Sequence, residues 1–451
     1  MSQGLEQQGR EQWKSRTGFM LAAMGSAIGL GNIWKFPYIT GENGGGAFII
    51  VYLICIALIG IPIMLAEFSV GRNTQKDAVG SFKELTPGKP WFITGIFGVM
   101  SAFLILSFYG VVAGWALSYT TKAISGDLLA VPAEKMADHF GGFIGASLGP
   151  IIWQLLFMGL VIIIVVKGIK QGIEKWNKIL MPTLGILLVV LAIRGLTLPG
   201  SGEGFSFLFS PDFSALNAEA VLVALGHAFF SLSLGMGTMI TYGSYVPQNV
   251  KLPTAAVGVS MADTGFALLA GLAIFPAVFA FGMDPGAGPG LIFITLPAVF
   301  EQMPLGQFFS ILFFLLISMA ALTSAISILE VPVAYFMRKF EWTRKKATWI
   351  LGTIIFLFGV PSSLSLGAWS EFTIFGKGFF DAVDYLASNI LLPLGGLLTA
   401  LFVGWALGKK KSLEIGGLRE GGLWGMLWIW SLRLVAPILI LIVMASVLGF
   451  I

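Results

Sequence analysis

Cysteine, histidine and charge are all scarce in this chain. Cys55 is the only cysteine, so no intramolecular disulfide forms, and His139 and His227 are too few to complete a zinc site with it. Charged residues make up 11% of the 451 and hydrophobic residues 56%, with a mean hydropathy of +0.88. That balance excludes an ordinary soluble domain. No Asn-x-Ser/Thr sequon occurs, which favours a bacterial origin. Residues 1–15 are polar and the first apolar stretch lacks a small-residue cleavage pattern, so the amino terminus is expected to stay in the mature chain.

What is present instead is apolar sequence in eleven runs long enough to cross a bilayer: 16–39, 44–71, 91–121, 150–167, 173–195, 219–245, 254–282, 304–337, 347–365, 379–408 and 423–449. The expected fold is an all-α polytopic membrane protein with eleven transmembrane helices. All but six of the 27 Lys and Arg lie in loops on one side; Lys122, Lys135, Arg194 and Lys377 lie on the other, and Lys35 and Arg433 lie within spans. The positive-inside rule then makes the amino terminus cytoplasmic and the carboxyl terminus external, in a plasma or inner membrane. Topology accounts for the basic clusters, since they sit in short loops beside spans, and no nucleic-acid partner is expected.

Two spans are interrupted. Gly25-Ser26-Ala27-Ile28-Gly29-Leu30-Gly31-Asn32 breaks the first, and Ser231-Leu232-Ser233-Leu234-Gly235-Met236-Gly237 breaks the sixth. Glycine costs about 1 kcal/mol against alanine inside a helix, and backbone left unpaired in lipid costs more, so such breaks persist where something uses the freed groups. Spans 1–5 (residues 16–195) and 6–10 (residues 219–408) each open on a broken helix, and because five is odd the second set is inverted relative to the first. The segment 1–15 and an eleventh helix at 423–449 complete the chain. A five-plus-five inverted repeat of this kind is a transporter architecture with its site near the mid-membrane.

Freed carbonyls at such breaks suit a small cation, and the amides that start the following half-helix suit a carboxylate. Asn32 and Ser231 add neutral oxygen donors, a hard set suited to an alkali ion and unsuited to a transition metal. Asp263 lies well inside the seventh span, where an ionised carboxylate costs about 3 kcal/mol or more; it reads as a functional charge or as a protonated partner in a helix–helix hydrogen bond. Ala320, Thr323 and Ser324 in the eighth span read either as a second cation shell or as small-residue packing. Tyr109 is a core tyrosine or a hydroxyl donor to a carboxylate. Lys35 and Asp384, of opposite sign near the ends of their spans, either snorkel to the interface or close on each other. No nucleophile-and-base constellation points to an enzyme, and no continuous polar path points to a channel.

The residues around the first break resemble a known family. Arg10 through Trp13, Gly25-x-Ala27-x-Gly29-Leu30-Gly31-Asn32-x-x-Lys35-Phe36-Pro37, Glu42 through Phe48, Gly172 through Leu184, Phe229 through Gly235 and Phe293 through Ala298 are similar to the neurotransmitter:sodium symporters. The likeness runs from about residue 10 into the tenth span. It implies sodium-coupled uptake of amino acids or related amines, with two sodium sites. One sodium ion would meet the Ala27 carbonyl, Asn32, Ser231, Asp263 and the substrate carboxylate. The other would meet the carbonyls of Gly25, Ile28 and Ala320 with Thr323 and Ser324. Leu30 and Gly31 amides and the Tyr109 hydroxyl would hold the substrate carboxylate, and Ala27, Phe230, Ser231 and Ser233 its ammonium. Ile105, Phe230, Met236, Ser324 and Ile328 would line the side-chain pocket, with Lys35 and Asp384 as an outer gate and Arg10 in an inner one.

Four departures from the family pattern matter. Lysine stands at the outer-gate position usually held by arginine. Arg338 stands where an inner-gate aspartate is usual. Asp263 stands where asparagine is usual, and Phe266 and Ala267 stand where chloride-dependent members carry serine, so a fixed carboxylate replaces chloride in this reading and no chloride is expected. Met236 replaces an aromatic residue in a pocket without ionisable groups, which suits neutral aliphatic and aromatic amino acids. An amine or osmolyte substrate is the alternative; an amine would want a carboxylate at Gly29.

Overall fold

In a bilayer every backbone N–H and C=O needs a partner inside the protein. The computed structural model, which describes residues 11–447, meets this with helices nearly throughout. Among the described residues nine helices are long and apolar enough to cross a membrane: Gly46–Thr74, Phe92–Ser125, Gly149–Val166, Ile169–Leu196, Leu252–Ala280, Gly306–Phe340, Arg344–Leu364, Phe379–Ala406 and Leu423–Ser446. The first and sixth spans are the two that are broken. The first runs Arg16–Ala27, then resumes as the wide turn Gly31–Lys35 and the helix Phe36–Glu42. The sixth runs Ala218–Ser231, then Thr238–Gly243. The protein is thus an all-α polytopic membrane protein of eleven spans, with a two-stranded ribbon, Thr373–Ile374 against Lys377–Gly378, in the loop before the tenth.

Apolar residues cover both faces of most spans, so depth in the bundle is set by packing. The third and eighth spans pack along each other at the centre and are mostly buried, whereas the fourth, fifth, ninth and eleventh bury less than half of their most apolar stretch. Exposed Leu155, Ile186, Ile193 and Leu357 are what a lipid-facing surface requires. The broken spans lie inside this ring. The first packs on the fifth, seventh and eighth, and the second half of the sixth packs on the second.

Glycine makes the second break possible. Ser233, Gly235 and Gly237 all have positive φ, so the chain between Ser231 and Thr238 turns left-handed at three places. At Gly235 a Cβ would also meet the Leu392 carbonyl of the tenth span. Gly235→Ala should therefore destabilise the fold by at least about 2 kcal/mol through left-handed strain and the clash. Gly226→Ala, helical and with open space around it, should not. Apparent melting points of the two detergent-purified variants check this, and equal values would remove the claim.

Candidate functional site

At the first break, helical hydrogen bonding stops because Ile28 turns to an extended conformation (φ −76, ψ 100). The backbone groups so released find side chains. The Gly29 amide donates to Asn32 Oδ1 at 3.0 Å, and the Leu30 amide donates to the Tyr109 hydroxyl at 3.2 Å. The Ser26 carbonyl accepts from Ser233 Oγ at 2.9 Å and from Ser324 Oγ at 3.0 Å. Both breaks and the eighth span are joined through that one oxygen. At the second break the Gly235 amide donates to Glu67 Oε1 at 2.8 Å.

Asp263 reaches the same region from the seventh span and is fully buried. Asn32 Nδ2 donates to its Oδ1 at 2.8 Å, Ser231 Oγ to its two carboxylate oxygens at 3.0 and 2.9 Å, and the Tyr52 hydroxyl to Oδ2 at 3.3 Å. No cation pairs with Asp263 among the described residues. A buried carboxylate with only neutral donors around it leaves a negative potential that a small cation can balance. The hydroxyl, amide and carboxylate oxygens form a hard set compatible with sodium as cargo.

Gly25, Ile28, Ala320, Thr323 and Ser324 lie across the first–eighth span contact, all buried. Thr323 Oγ1 donates to its own helix at Ala320, at 2.9 Å, and Ser324 Oγ points to Ser26. Beside Gly25 lies Asn177 Oδ1, buried and without a hydrogen-bond partner.

Between the breaks is a cavity of about 10 Å³, lined by Ala27, Gly29, Gly31, Ile105, Tyr109, Phe230, Ser233, Met236, Ser324 and Ile328. That is room for about one water. A leucine or phenylalanine side chain enters only if walls move, and Met236 and Phe230 are the side chains with rotamers to give. Leu30 and Ser231 are buried beside this cavity but do not line it.

The two ends of the site are held differently. Lys35 and Asp384 form no direct ion pair: the Lys35 ammonium lies 4.8 Å from the centre of the Phe230 ring, and Asp384 accepts from Ser388 Oγ at 2.6 Å. Next to them is a cavity of about 760 Å³ that also reaches Tyr38 and His227. At the other end the segment before the first span is strapped down. Trp13 donates to the Tyr242 and Tyr245 carbonyls, each at 3.1 Å, and the Lys14 amide donates to Glu174 Oε2 at 2.6 Å. Glu330 accepts from Arg344 at 2.7 and 3.1 Å and from the Tyr245 hydroxyl at 2.7 Å. Arg338 pairs with Asp77 instead, and Glu330, two turns earlier on the same helix, is the carboxylate that pairs with Arg344. Arg10 lies outside the described residues.

Sequence reading passed over Glu67, Tyr52, Glu330 and Asn177, and weighed His227 only as a zinc ligand. Glu67 and Glu330 carry the same signal that singled out Asp263, a carboxylate inside an apolar span. Tyr52 and Asn177 carry none, since only packing aims them. Glu174→Ala removes the acceptor of the Lys14 amide and of Ser15 Oγ. A hydrogen bond to a charged group contributes about 1.5–3 kcal/mol, so exchange of the Lys14 amide should speed up about tenfold or more. Hydrogen–deuterium exchange of residues 11–20 measures it; unchanged protection would mean that other contacts hold the strap.

The chain matches the sodium:neurotransmitter symporter family over residues 10–137 and 143–450. It is 43% identical over 440 residues to the sodium-dependent transporter YhdH of Bacillus subtilis (strain 168), covering 97% of this chain and 98% of that one. It is 28% identical over 457 residues to sodium- and chloride-dependent GABA transporter 2 of Bos taurus, covering 90% of this chain and 74% of that one. The crystal structure of MhsT in complex with L-phenylalanine superposes with a TM-score of 0.92 at 58% identity, over 97% of this chain and all of that one. Matched almost end to end by this family and by a sodium-dependent relative, the chain belongs to the sodium:neurotransmitter symporter family and is a sodium-dependent symporter.

Proposed function

We propose that this symporter takes up neutral hydrophobic L-amino acids, aliphatic and aromatic, with two sodium ions and without chloride, by alternating access across a bacterial plasma membrane with its amino terminus inside. The observation that carries the reading is the buried Asn32–Ser231–Asp263 cluster at the meeting point of the two breaks, beside a cavity whose walls include Ile105, Phe230, Met236 and Ile328. In this reading Asp263, Ser231 and the Ala27 carbonyl hold the first sodium ion. Asn32 joins them when a half-turn of its amide brings Oδ1 to the carboxylate side. The Gly25, Ile28 and Ala320 carbonyls with Thr323 and Ser324 hold the second.

The substrate carboxylate meets the Leu30 and Gly31 amides and Tyr109, and completes the first sodium site. Its ammonium meets the Ala27, Phe230 and Ser231 carbonyls and Ser233. A Cβ at Gly29 would lie 2.9 Å from the Tyr109 hydroxyl and from Ser324 Cβ, so a protein carboxylate has no room there and the substrate supplies its own. Ile105, Met236, Phe230 and Ile328 surround the substrate side chain with no charge to receive a polar one. The phenylalanine bound to MhsT agrees with such a pocket. A tenfold gradient is worth about 1.4 kcal/mol and 100 mV about 2.3 kcal/mol per charge, so two sodium ions supply about 7 kcal/mol per cycle. That is ample for concentrative uptake.

Competition against labelled leucine by Phe and Trp should give affinities within about tenfold of each other, about 1.4 kcal/mol. Binding should require sodium and be lost in Asn32→Ala. A strict preference for glycine, proline or an amine would overturn the pocket assignment. Replacing chloride with gluconate should leave uptake unchanged in the natural protein. In Asp263→Ser, sodium affinity should fall about tenfold or more in gluconate and recover in part with chloride. A marked loss of natural uptake without chloride would overturn the fixed-charge reading.

A further inference from the structure

The proposed mechanism does not use Arg433, a cation within the eleventh span. Arg433 is the tenth residue after the start of the eleventh span at Leu423, about 15 Å along its axis. Its contacts with Gly404 and Trp405 set it level with the end of the tenth span at Ala406, beside the lysines of the loop that follows. Its Nε donates to the Gly404 carbonyl at 2.6 Å, and its guanidinium carbon lies 5.0 Å from the centre of the Trp405 ring. Gly404 permits this approach, since a Cβ there would lie 3.2 Å from Arg433 Cγ. The two terminal nitrogens have no hydrogen-bond partner, and no carboxylate lies within 4.0 Å of Arg433 or of Lys409 among the described residues.

Arg433 and Lys409 instead line a shared cavity of about 350 Å³ between the tenth and eleventh spans, walled by Trp405 and Trp430. Both tryptophans are more than half exposed. A guanidinium held by its Nε with its other donors turned to a cavity is set up to take two oxygens of one phosphate. The ammonium beside it adds a second charge of the same sign, and indole rings beside the end of the tenth span at Ala406 suit the glycerol region of a lipid. Leading away from Arg433, Leu434, Ile438 and Leu441 form an exposed apolar column along the eleventh span. An acyl chain has that shape and polarity.

We propose that this cavity binds an anionic diacyl phospholipid from the leaflet at the Lys409 end. Arg433 takes the phosphate, Lys409 adds to the charge, Trp405 and Trp430 flank the glycerol, and one acyl chain lies on the Leu434–Ile438–Leu441 column. The lipid phosphate supplies the counter-charge that the described chain does not provide for Arg433.

Native mass spectrometry of the full-length transporter, offered equal phosphatidylglycerol and phosphatidylcholine of identical chains, tests this. The natural protein should retain phosphatidylglycerol preferentially. Arg433→Gln and Lys409→Gln should each reduce that preference about fivefold, as expected for one cation near a lipid headgroup. Arg433→Lys should restore part of it, and Lys170→Gln, on another helix, should leave it unchanged. Lys409 is exposed, so its variant carries the test if Arg433→Gln does not fold. Equal retention of the two lipids by the natural protein, or undiminished preference in both glutamine variants, overturns the proposal. Displacement of the lipid by excess inorganic phosphate also overturns it, as does dissociation of paired copies in Arg433→Gln with lipid retention unchanged.

Discussion

The Ser26 carbonyl is the joint of this molecule. A helix that stops in mid-membrane exposes acceptors that lipid cannot satisfy, and here two hydroxyls from two other elements, Ser233 and Ser324, converge on one of them. The same economy recurs nearby, where Tyr109, Asn32 and Glu67 each accept an amide freed by a break. Because each break is completed by side chains from elsewhere, the two broken spans and the eighth hold one another in place. The small cavity lies among them, lined by the Tyr109, Ser233 and Ser324 side chains as well as by apolar ones.

Three of the buried carboxylates divide the electrostatic roles. Glu330 is matched by Arg344, a closed pair that needs no further charge. Glu67 is spent partly on the Gly235 amide, with its other oxygen unpaired. Asp263 has only hydroxyl and amide donors around it. Neutral donors lower the cost of burying a carboxylate without cancelling its field, so a mobile cation gains more at Asp263 than at a salt-bridged group such as Glu330. This contrast underlies both the proposed sodium role and the proposed independence from chloride.

The ends of the proposed pathway are asymmetric. The Trp13 strap and the Glu330–Arg344 and Asp77–Arg338 pairs lock one end. A lysine resting on a phenylalanine ring guards the other, beside a large cavity. Lysine in place of arginine fits that looseness, since an ammonium has no bidentate fork to match with Asp384. The carboxylate bonded to the strap is Glu174, while Glu330 is taken by Arg344 and Asp77 by Arg338.

Composition and local pattern determined that this chain crosses a membrane eleven times and breaks its first and sixth helices at the glycine-rich runs. Those are properties of consecutive residues: an apolar run of sufficient length has no other low-energy state in lipid, and glycine weakens a helix wherever it falls. Asn32, Ser231 and Asp263 were legible as candidates because polar groups inside apolar spans are costly and therefore conspicuous. Tertiary structure alone decided that Tyr52 completes the Asp263 cluster, that Glu67 caps the second break, that Lys35 meets Phe230 rather than Asp384, and that Arg338 pairs with Asp77. Each of these joins residues far apart in the chain by hydrogen bonds, charge or ring contacts, and which one a polar group finds depends on how neighbouring helices turn their faces. Hydrophobicity sets a helix's depth in the bilayer, and only packing against its neighbours sets its rotation.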